Sequence, residues 1–336
     1  MRIVVTGGAG FLGSHLVERL LARGDHVVCV DNLSTGSLEN VRQLDGQQNL
    51  TIITADICDG IEIDGNVDAV AHLASPASPP DYHRMPLETL AVGSRGTEMA
   101  LQLADSHSAR FVVASTSEIY GDPLVHPQQE NYWGNVNPVG PRSVYDEAKR
   151  FAEAITSAFR RAHGTNTGIV RIFNTYGPRM RANDGRVVSS FIVQALTGDP
   201  LTIYGDGTQT RSFCYVDDLV AGLVAMLDSD EPGPINLGNS TERTVGELAE
   251  MVLRLTGSQS ELRFYPLPQD DPTRRRPDLT RAETLLHWRP RVTAEEGIAR
   301  TIAWFAGQPV ELRRAATLLA GPQTEDDRVL EIVGAA

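Results

Sequence analysis

The sequence predicts an α/β protein, a doubly wound parallel sheet carrying a smaller C-terminal lobe. Three observations predict it. Short β-branched runs alternate with amphipathic stretches through the first half, a glycine string follows the first run directly, and the texture changes after about Gly177. The runs Arg2–Thr6, His26–Asp31, Leu50–Thr54, Ala69–Ala74, Phe111–Ser115 and Thr167–Phe173 read as strands. Between them, Gly13–Arg23, Pro86–Ser106 and Ser143–His163 have helical periodicity. Parallel neighbours need long crossovers, and a helix between strands supplies one of right-handed sense.

Beyond Gly177 the segments shorten and are punctuated by Gly198-Asp199-Pro200, Gly205-Asp206-Gly207 and Pro232-Gly233-Pro234. Thr244–Leu255 and Ala294–Phe305 read as helices of the second lobe, while Ile235-Asn236-Leu237 is expected to return to the first sheet. The stretch Pro266 to Pro277 holds four prolines and three consecutive arginines, so it reads as an ordered loop. The expected division is 1–178 for the first domain, with parts of 212–240 packing back on it, then 179–310 for the second lobe. Residues 311–336 form a tail in which Glu311–Ala320 has helical character.

Composition narrows the function classes. A net charge of −13 over 336 residues speaks against a general nucleic-acid or anionic-membrane binder, which needs a basic surface. No run approaches the ~18 apolar residues that span a bilayer, and the first apolar run is too short for a signal sequence. Cys29, Cys58 and Cys214 stand far apart, which suits a reducing compartment and argues against a structural zinc site. The expected location is the cytoplasm, and no metal is expected.

Of the 30 basic residues 29 are arginine, and the one lysine is Lys149. A codon bias accounts for the arginines but not for the position of the exception.

Gly7, Gly10 and Gly13 lie in Thr6-Gly7-Gly8-Ala9-Gly10-Phe11-Leu12-Gly13, between the first strand and the first helix. In that place glycines give a tight turn, close approach of backbone to a pyrophosphate, and a helix N-terminus for its charge. Asp31 closes the second strand, 18 residues past Gly13, where a carboxylate can hold both hydroxyls of a ribose. The same carboxylate would repel a 2′-phosphate, so NAD is expected rather than NADP. Asp56, after the third strand, either meets the adenine edge or simply caps the turn that follows.

Tyr145 and Lys149 stand four apart on a predicted helix, which puts phenol and ammonium on one face. A nearby cation favours the phenolate, so tyrosine can serve as a base near neutral pH. Eight tyrosines offer 8 of 336 positions four residues downstream, so chance places the lone lysine there about 2% of the time. Thr116, Ser117 and Glu118 end the Phe111–Ser115 strand, where open α/β sheets hold their ligands.

Together these pieces resemble the extended short-chain dehydrogenase/reductases that act on nucleotide sugars, from Arg2 to about Phe305. Several strings resemble the UDP-glucuronate decarboxylases within that family: Ser75-Pro76-Ala77-Ser78-Pro79-Pro80, the run His126 to Arg142, and Arg171 to Met180. Asp184 to Val188 and Tyr204 to Phe213 complete the set. The resemblance implies a Rossmann-type first domain and a recycled NAD. It implies oxidation of UDP-glucuronate at C4, loss of carbon dioxide and re-reduction to UDP-xylose. Tyr145 would take the 4-hydroxyl proton, supported by Lys149 and Thr116, with Ser117, Glu118 and Arg275 at the carboxylate and C5. Cofactor contacts would extend over Phe11, Leu12, Asn32, Ile57, Leu73, Ser75, Ala114 and Thr175. Asn174, Arg186, Val188, Tyr204, Gln209, Arg211 and Arg275 would hold the UDP-sugar.

The alternatives are a nucleotide-sugar 4-epimerase or 4,6-dehydratase and, from another class, an NAD-binding sensor. Dehydratases of the family carry Thr-Asp-Glu at this strand end and must protonate a departing hydroxyl. Here the string is Thr116-Ser117-Glu118, and a β-keto carboxylate needs no such acid to lose carbon dioxide. One stretch departs from the family pattern: Glu88-Thr89-Leu90-Ala91-Val92-Gly93 lacks two lysines and an asparagine, so contacts carried by that helix are in doubt. His72 is expected in the core, and Tyr132 and Trp133 are expected to pack a loop. The long amphipathic helices Pro86–Ser106 and Ser143–His163, with the family, imply a homodimer.

Overall fold

The β-branched runs become the strands β1 (Arg2–Thr6), β2 (His26–Asp31), β3 (Leu50–Thr54), β4 (Ala69–His72), β5 (Arg110–Thr116) and β6 (Thr167–Ile172). In this computed structural model, which describes residues 1–267 and 274–308, all six pair in parallel. The strand Ile235–Leu237 adds itself in parallel beyond β6. The seven strands run in the order Ile235–Leu237, β6, β5, β4, β1, β2, β3. Alternation along a strand feeds both faces: Ile3 and Val5 enter one core cluster, while Val4 enters the other. All seven residues of β5 are buried, as a central strand covered on both sides requires.

Helices α1 (Phe11–Ala22), α2 (Pro79–Arg84), α3 (Pro86–Ala91), α4 (Thr97–Ser106) and α5 (Ser143–His163) come from the first half. The expected continuous helix Pro86–Ser106 is broken by a π-helical turn at Val92–Gly96. There the Thr97 hydroxyl donates to the Gly93 carbonyl at 3.0 Å and to that of Val92 at 3.2 Å. Gly93 itself lets α5 come close. A Cβ at that position would lie 2.6 Å from the Ala148 Cβ and 2.8 Å from its carbonyl oxygen.

α5 is also tied to the sheet by a buried network. Arg171 on β6 donates to both oxygens of Glu153 at 2.9 and 2.8 Å, and Ser115 on β5 donates to the same carboxylate at 2.6 Å.

Besides the six-residue helices α2 and Thr280–Leu285, two longer helices were not expected: α6 (Val187–Thr197) and α7 (Val216–Leu227). Both are buried on most of their circumference, so they lack the polar face that gives a helical period. The helix Val245–Thr256 opens with a capping box between Thr244 and Glu247, and Ala294–Ala306 closes the described chain.

The stretch read as a loop from Pro266 to Pro277 contains a strand after all. Arg274–Arg275 pairs in parallel with Thr210–Ser212, which also pairs with Glu242–Thr244. A two-residue strand surrounded by prolines leaves no alternation to read. Residues 268–273 of that stretch lie outside the described residues, as do Glu311–Ala320 and the rest of the expected tail.

Gly93→Ala should lower the melting temperature, because filling the α5 contact costs about 1–3 kcal/mol. An unchanged thermal unfolding curve would contradict the close approach described above.

Candidate active site

A cavity of about 360 Å³ opens at the carboxyl ends of β1, β2, β4, β5 and β6, where doubly wound sheets bind ligands. The glycine string forms one wall. A Cβ on Gly13 would sit 2.0 Å from the Gly7 carbonyl oxygen, and Gly7 has φ +70°, where a Cβ would lie 2.8 Å from the Ala74 backbone nitrogen. The string therefore curls into a cradle that side chains would fill.

Asp31 is buried at the cavity edge and accepts from the backbone N–H groups of Ala9 at 3.0 Å and Leu33 at 2.8 Å. Burial raises its carboxyl above the ordinary range, and these backbone donors pull it back. Asp56 caps the turn at Ile57–Asp59 through the Cys58 N–H at 2.8 Å, its other oxygen accepts from Asn32 at 2.9 Å, and it lines the cavity. Phe11, Leu12, Ile57, Leu73, Ser75, Ala114 and Thr175 line the same cavity.

The chemical groups converge at the end of β5. Lys149 is buried and its Nζ donates to the Ala114 carbonyl at 2.8 Å; burial lowers its pKa to about 8. Tyr145 stacks on Tyr82, with ring centroids 5.3 Å apart, and the Thr116 hydroxyl is near enough to favour its phenolate. The expectation of a phenol acidified by Lys149 is corrected here. Burial first, and the Glu118 carboxylate second, push Tyr145 well above its ordinary value, while Thr116 and Arg186 oppose them. Lys149 is bonded to backbone, 5.8 Å from the phenol ring centroid.

Glu118 is gripped by two arginines. Both guanidinium Nη atoms of Arg275 donate to its carboxylate, the second at 2.8 Å, and Arg142 donates at 2.8 Å. Burial alone would raise this carboxyl; Arg275 and Arg142 hold it well below the usual range instead.

Thr116, Ser117, Glu118, Asn174 and Arg186 also line the cavity. Arg186 is ion-paired with Asp184 and lies 6.0 Å from the Phe11 ring centroid. Val188, Tyr204, Gln209 and Arg211 do not contribute to its wall. The Val188 side chain is in the core, Tyr204 is half exposed, and Gln209 turns its amide onto the Tyr204 carbonyl. Arg211 stands between Arg243 and Arg275 in neighbouring strand register. His72 is a core residue, bonded to the hydroxyls of Thr6 and Thr97 and lowered to about 3 by burial. Tyr132 stacks on Tyr120, whereas Trp133 is 88% exposed and does not pack.

The family model described as the NAD dependent epimerase/dehydratase family matches residues 3–238. The chain belongs to that family. It is 51% identical over 305 residues to UDP-glucuronic acid decarboxylase 1 of Danio rerio, covering 91% of this chain and 72% of that protein. It is 49% identical over 299 residues to UDP-glucuronic acid decarboxylase 5 of Arabidopsis thaliana, covering 89% and 87%. Among solved structures it is similar to UDP-glucuronic acid 4-epimerase from Bacillus cereus in complex with UDP-glucuronic acid and NAD. There the TM-score is 0.81 and the identity 28%, covering 92% of this chain and 100% of that one.

The epimerase/dehydratase family is NAD-dependent, and the cradle fits the cofactor. The Gly7–Gly13 backbone and the N-terminus of α1 suit a pyrophosphate, and the Asp31 carboxylate suits a ribose with free hydroxyls. Sequence reasoning missed two ionisable groups beside Glu118, Arg142 and Asp146. Arg142 stands at the start of α5 inside the run that resembles the family, but nothing local shows that it reaches Glu118, 24 residues away.

Lys149→Arg should fold, keep the net charge of −13, and lose activity by about tenfold or more, because the wider guanidinium cannot occupy a slot closed by the Ala114 carbonyl. Near-wild-type turnover in a steady-state assay would show that the slot imposes no such requirement.

Proposed function

We propose that the chain decarboxylates UDP-glucuronate to UDP-xylose, a carboxy-lyase that uses NAD catalytically. One observation carries the choice within the family. The only acid in the Thr116-Ser117-Glu118 string is clamped as a carboxylate by Arg275 and Arg142, and so has no proton to give a departing hydroxyl. Dehydration needs that proton; loss of carbon dioxide from a 4-keto acid does not. The decarboxylase relatives, at about half identity over nine-tenths of the chain, support the same reading.

NAD, when bound, takes a hydride from C4 of the sugar, returns it at the end, and brings a cationic ring to the site. Tyr145 takes the O4 proton, with the Thr116 hydroxyl holding its oxygen and Lys149 fixing the helix face from the Ala114 carbonyl. Since burial and Glu118 hold the phenol protonated in the protein alone, Tyr145 becomes a base only once further positive charge enters the cavity. Arg142 and Arg275 carry two positive charges against the one of Glu118, leaving a single net charge for one substrate carboxylate. That carboxylate becomes β to the new C4 carbonyl, and the electrons of the breaking bond flow into it. Ser117 and Glu118 orient C5, and Tyr145 returns its proton to O4. Asn174 and Arg186, on the cavity wall, hold the nucleotide.

We further propose a cytoplasmic homodimer. The free cysteines support a reducing compartment. Leu87 on α3 is 75% exposed and Phe151 on α5 is 49% exposed, an apolar surface on the helices expected to pair. Sedimentation at micromolar concentration should give a dimer, and a monomer there contradicts this assembly.

Incubation with UDP-glucuronate and NAD, followed by mass spectrometry, should yield a nucleotide sugar lighter by one carbon dioxide. An unchanged mass would indicate an epimerase, loss of one water a dehydratase, and either result contradicts the proposed reaction.

A further inference from the structure

α2 places Tyr82 in the interior, 2% exposed, with its ring nearly parallel to that of Tyr145. The two planes differ by 9° and the centroids are 5.3 Å apart. Offset parallel stacking is one of the preferred arrangements of aromatic rings. Lys149 meets the same Tyr145 ring, its ammonium 5.8 Å from the centroid. Tyr145 and Thr116 line the cavity, whereas Tyr82 stands behind Tyr145 and does not.

A tyrosine ring is not held by its own torsions. The bond that joins it to Cβ turns in a broad well, so a tilt of the ring carries the phenol oxygen sideways at its far end. Misplacing a reacting group by about 1 Å costs about 10²-fold in rate. What packs against the face of Tyr145 therefore decides whether its oxygen meets O4 of the sugar.

Six residues are too few for a helix to hold itself in water, so the place of Tyr82 is set by what grips α2. Pro79 and Pro80 open the helix, where their fixed φ is already helical. Asp81, 5% exposed, supplies the grip. It accepts from the Ser78 hydroxyl at 2.5 Å, from Arg84 at 3.1 Å and from Arg181. Pro80 rests on Gly185, where a Cβ would lie 2.7 Å from the Pro80 Cγ. Ser78, Asp81, Arg181 and Arg186 all line the cavity. The segment 181–186 that carries Arg186 thus also holds α2, and through Tyr82 the ring of Tyr145.

We infer that Tyr82 is a positioning residue of the reaction: its ring sets the plane of Tyr145, and the Asp81–Arg181 pair sets the place of Tyr82. This rests on the reading of Tyr145 as the base. In that step the O4–H bond breaks and Tyr145 Oη takes the proton. The C4–H electron pair leaves as hydride to the nicotinamide, and a C4–O4 carbonyl forms. Both transfers reverse at the end, so the alignment of Tyr145 is needed twice per turnover. The contact is ring to ring, and the hydroxyl of Tyr82 is not required for it.

The test uses the NAD-loaded enzyme with UDP-glucuronate. Tyr82→Phe keeps the ring and should keep kcat within a few-fold. Tyr82→Met fills the space without a ring and should lower kcat by roughly tenfold or more, with KM and NAD content within a few-fold. Deuterium at C4 of the substrate should then slow Tyr82→Met measurably, because the loss lies in the steps that use Tyr145. Wild-type kcat in Tyr82→Met, a rise in KM alone, no isotope effect there, or an equal loss in Tyr82→Phe would each overturn the inference. Should Tyr82→Met fail to fold, Asp81→Asn loosens the grip of Arg181 and should lower kcat several-fold at unchanged KM; wild-type kcat in it would overturn the inference equally. Tyr145→Phe separates the two levels. Wild-type turnover in that variant removes the base and the inference with it, whereas an inactive Tyr145→Phe beside a fully active Tyr82→Met removes only the positioning role.

Discussion

The structure turns on one buried ion cluster. Glu118 leaves the end of β5 and meets Arg142 at the start of α5 and Arg275 on a strand that begins past residue 273. Those three residues come from the end of the central sheet, a covering helix and the small sheet of Thr210–Ser212, Glu242–Thr244 and Arg274–Arg275. An ionised carboxylate at 15% side-chain exposure is tolerable only with such partners, and removing either side of a buried pair costs about 3–5 kcal/mol. The clamp therefore fixes where that small sheet sits against the end of β5, and also fixes the ionisation of the one acid beside Ser117.

The neighbouring ionisable groups depend on it at short range. The Glu118 charge is the second cause, after burial, of the raised Tyr145 phenol and of the raised Asp146 carboxyl. α5 carries Tyr145, Asp146 and Lys149 on its first two turns, and two contacts hold that helix in place: the Gly93–Ala148 approach and the Arg171–Glu153 pair. So the glycine that looked like a departure from the family pattern has a packing reason in this chain, whatever contacts the missing lysines would have made.

Much of this was legible in the sequence where the signal is local. The β-branched runs between helical stretches gave the six strands within a residue or two, and Ser143–His163 is a helix over those same residues because its amphipathic period is strong. The cradle was legible because the glycines, the strand and Asp31 sit at fixed spacing. α6 and α7 were not, since burial on nearly all sides erases the period. Nor was the Arg275 contact derivable from spacing: 157 residues separate it from Glu118, and only resemblance pointed there. Asp146 was passed over because an acid on a helix is ordinarily a solvated one. Lone Lys149 was conspicuous, and the structure adds that its ammonium donates to the Ala114 carbonyl and lies 5.8 Å from the Tyr145 ring centroid.

The dependence of the fold on the clamp is measurable without any substrate. In a double-mutant cycle with Glu118→Gln, Arg275→Met and the pair, chemical denaturation should show each single change costing about 3–5 kcal/mol. The double variant should cost little more than either, a coupling of roughly 2 kcal/mol or more, at the upper end for residues sharing one network. Additive losses within about 0.5 kcal/mol, the behaviour of independent sites, would contradict the claim that this pair fixes the Arg274–Arg275 strand against the end of β5.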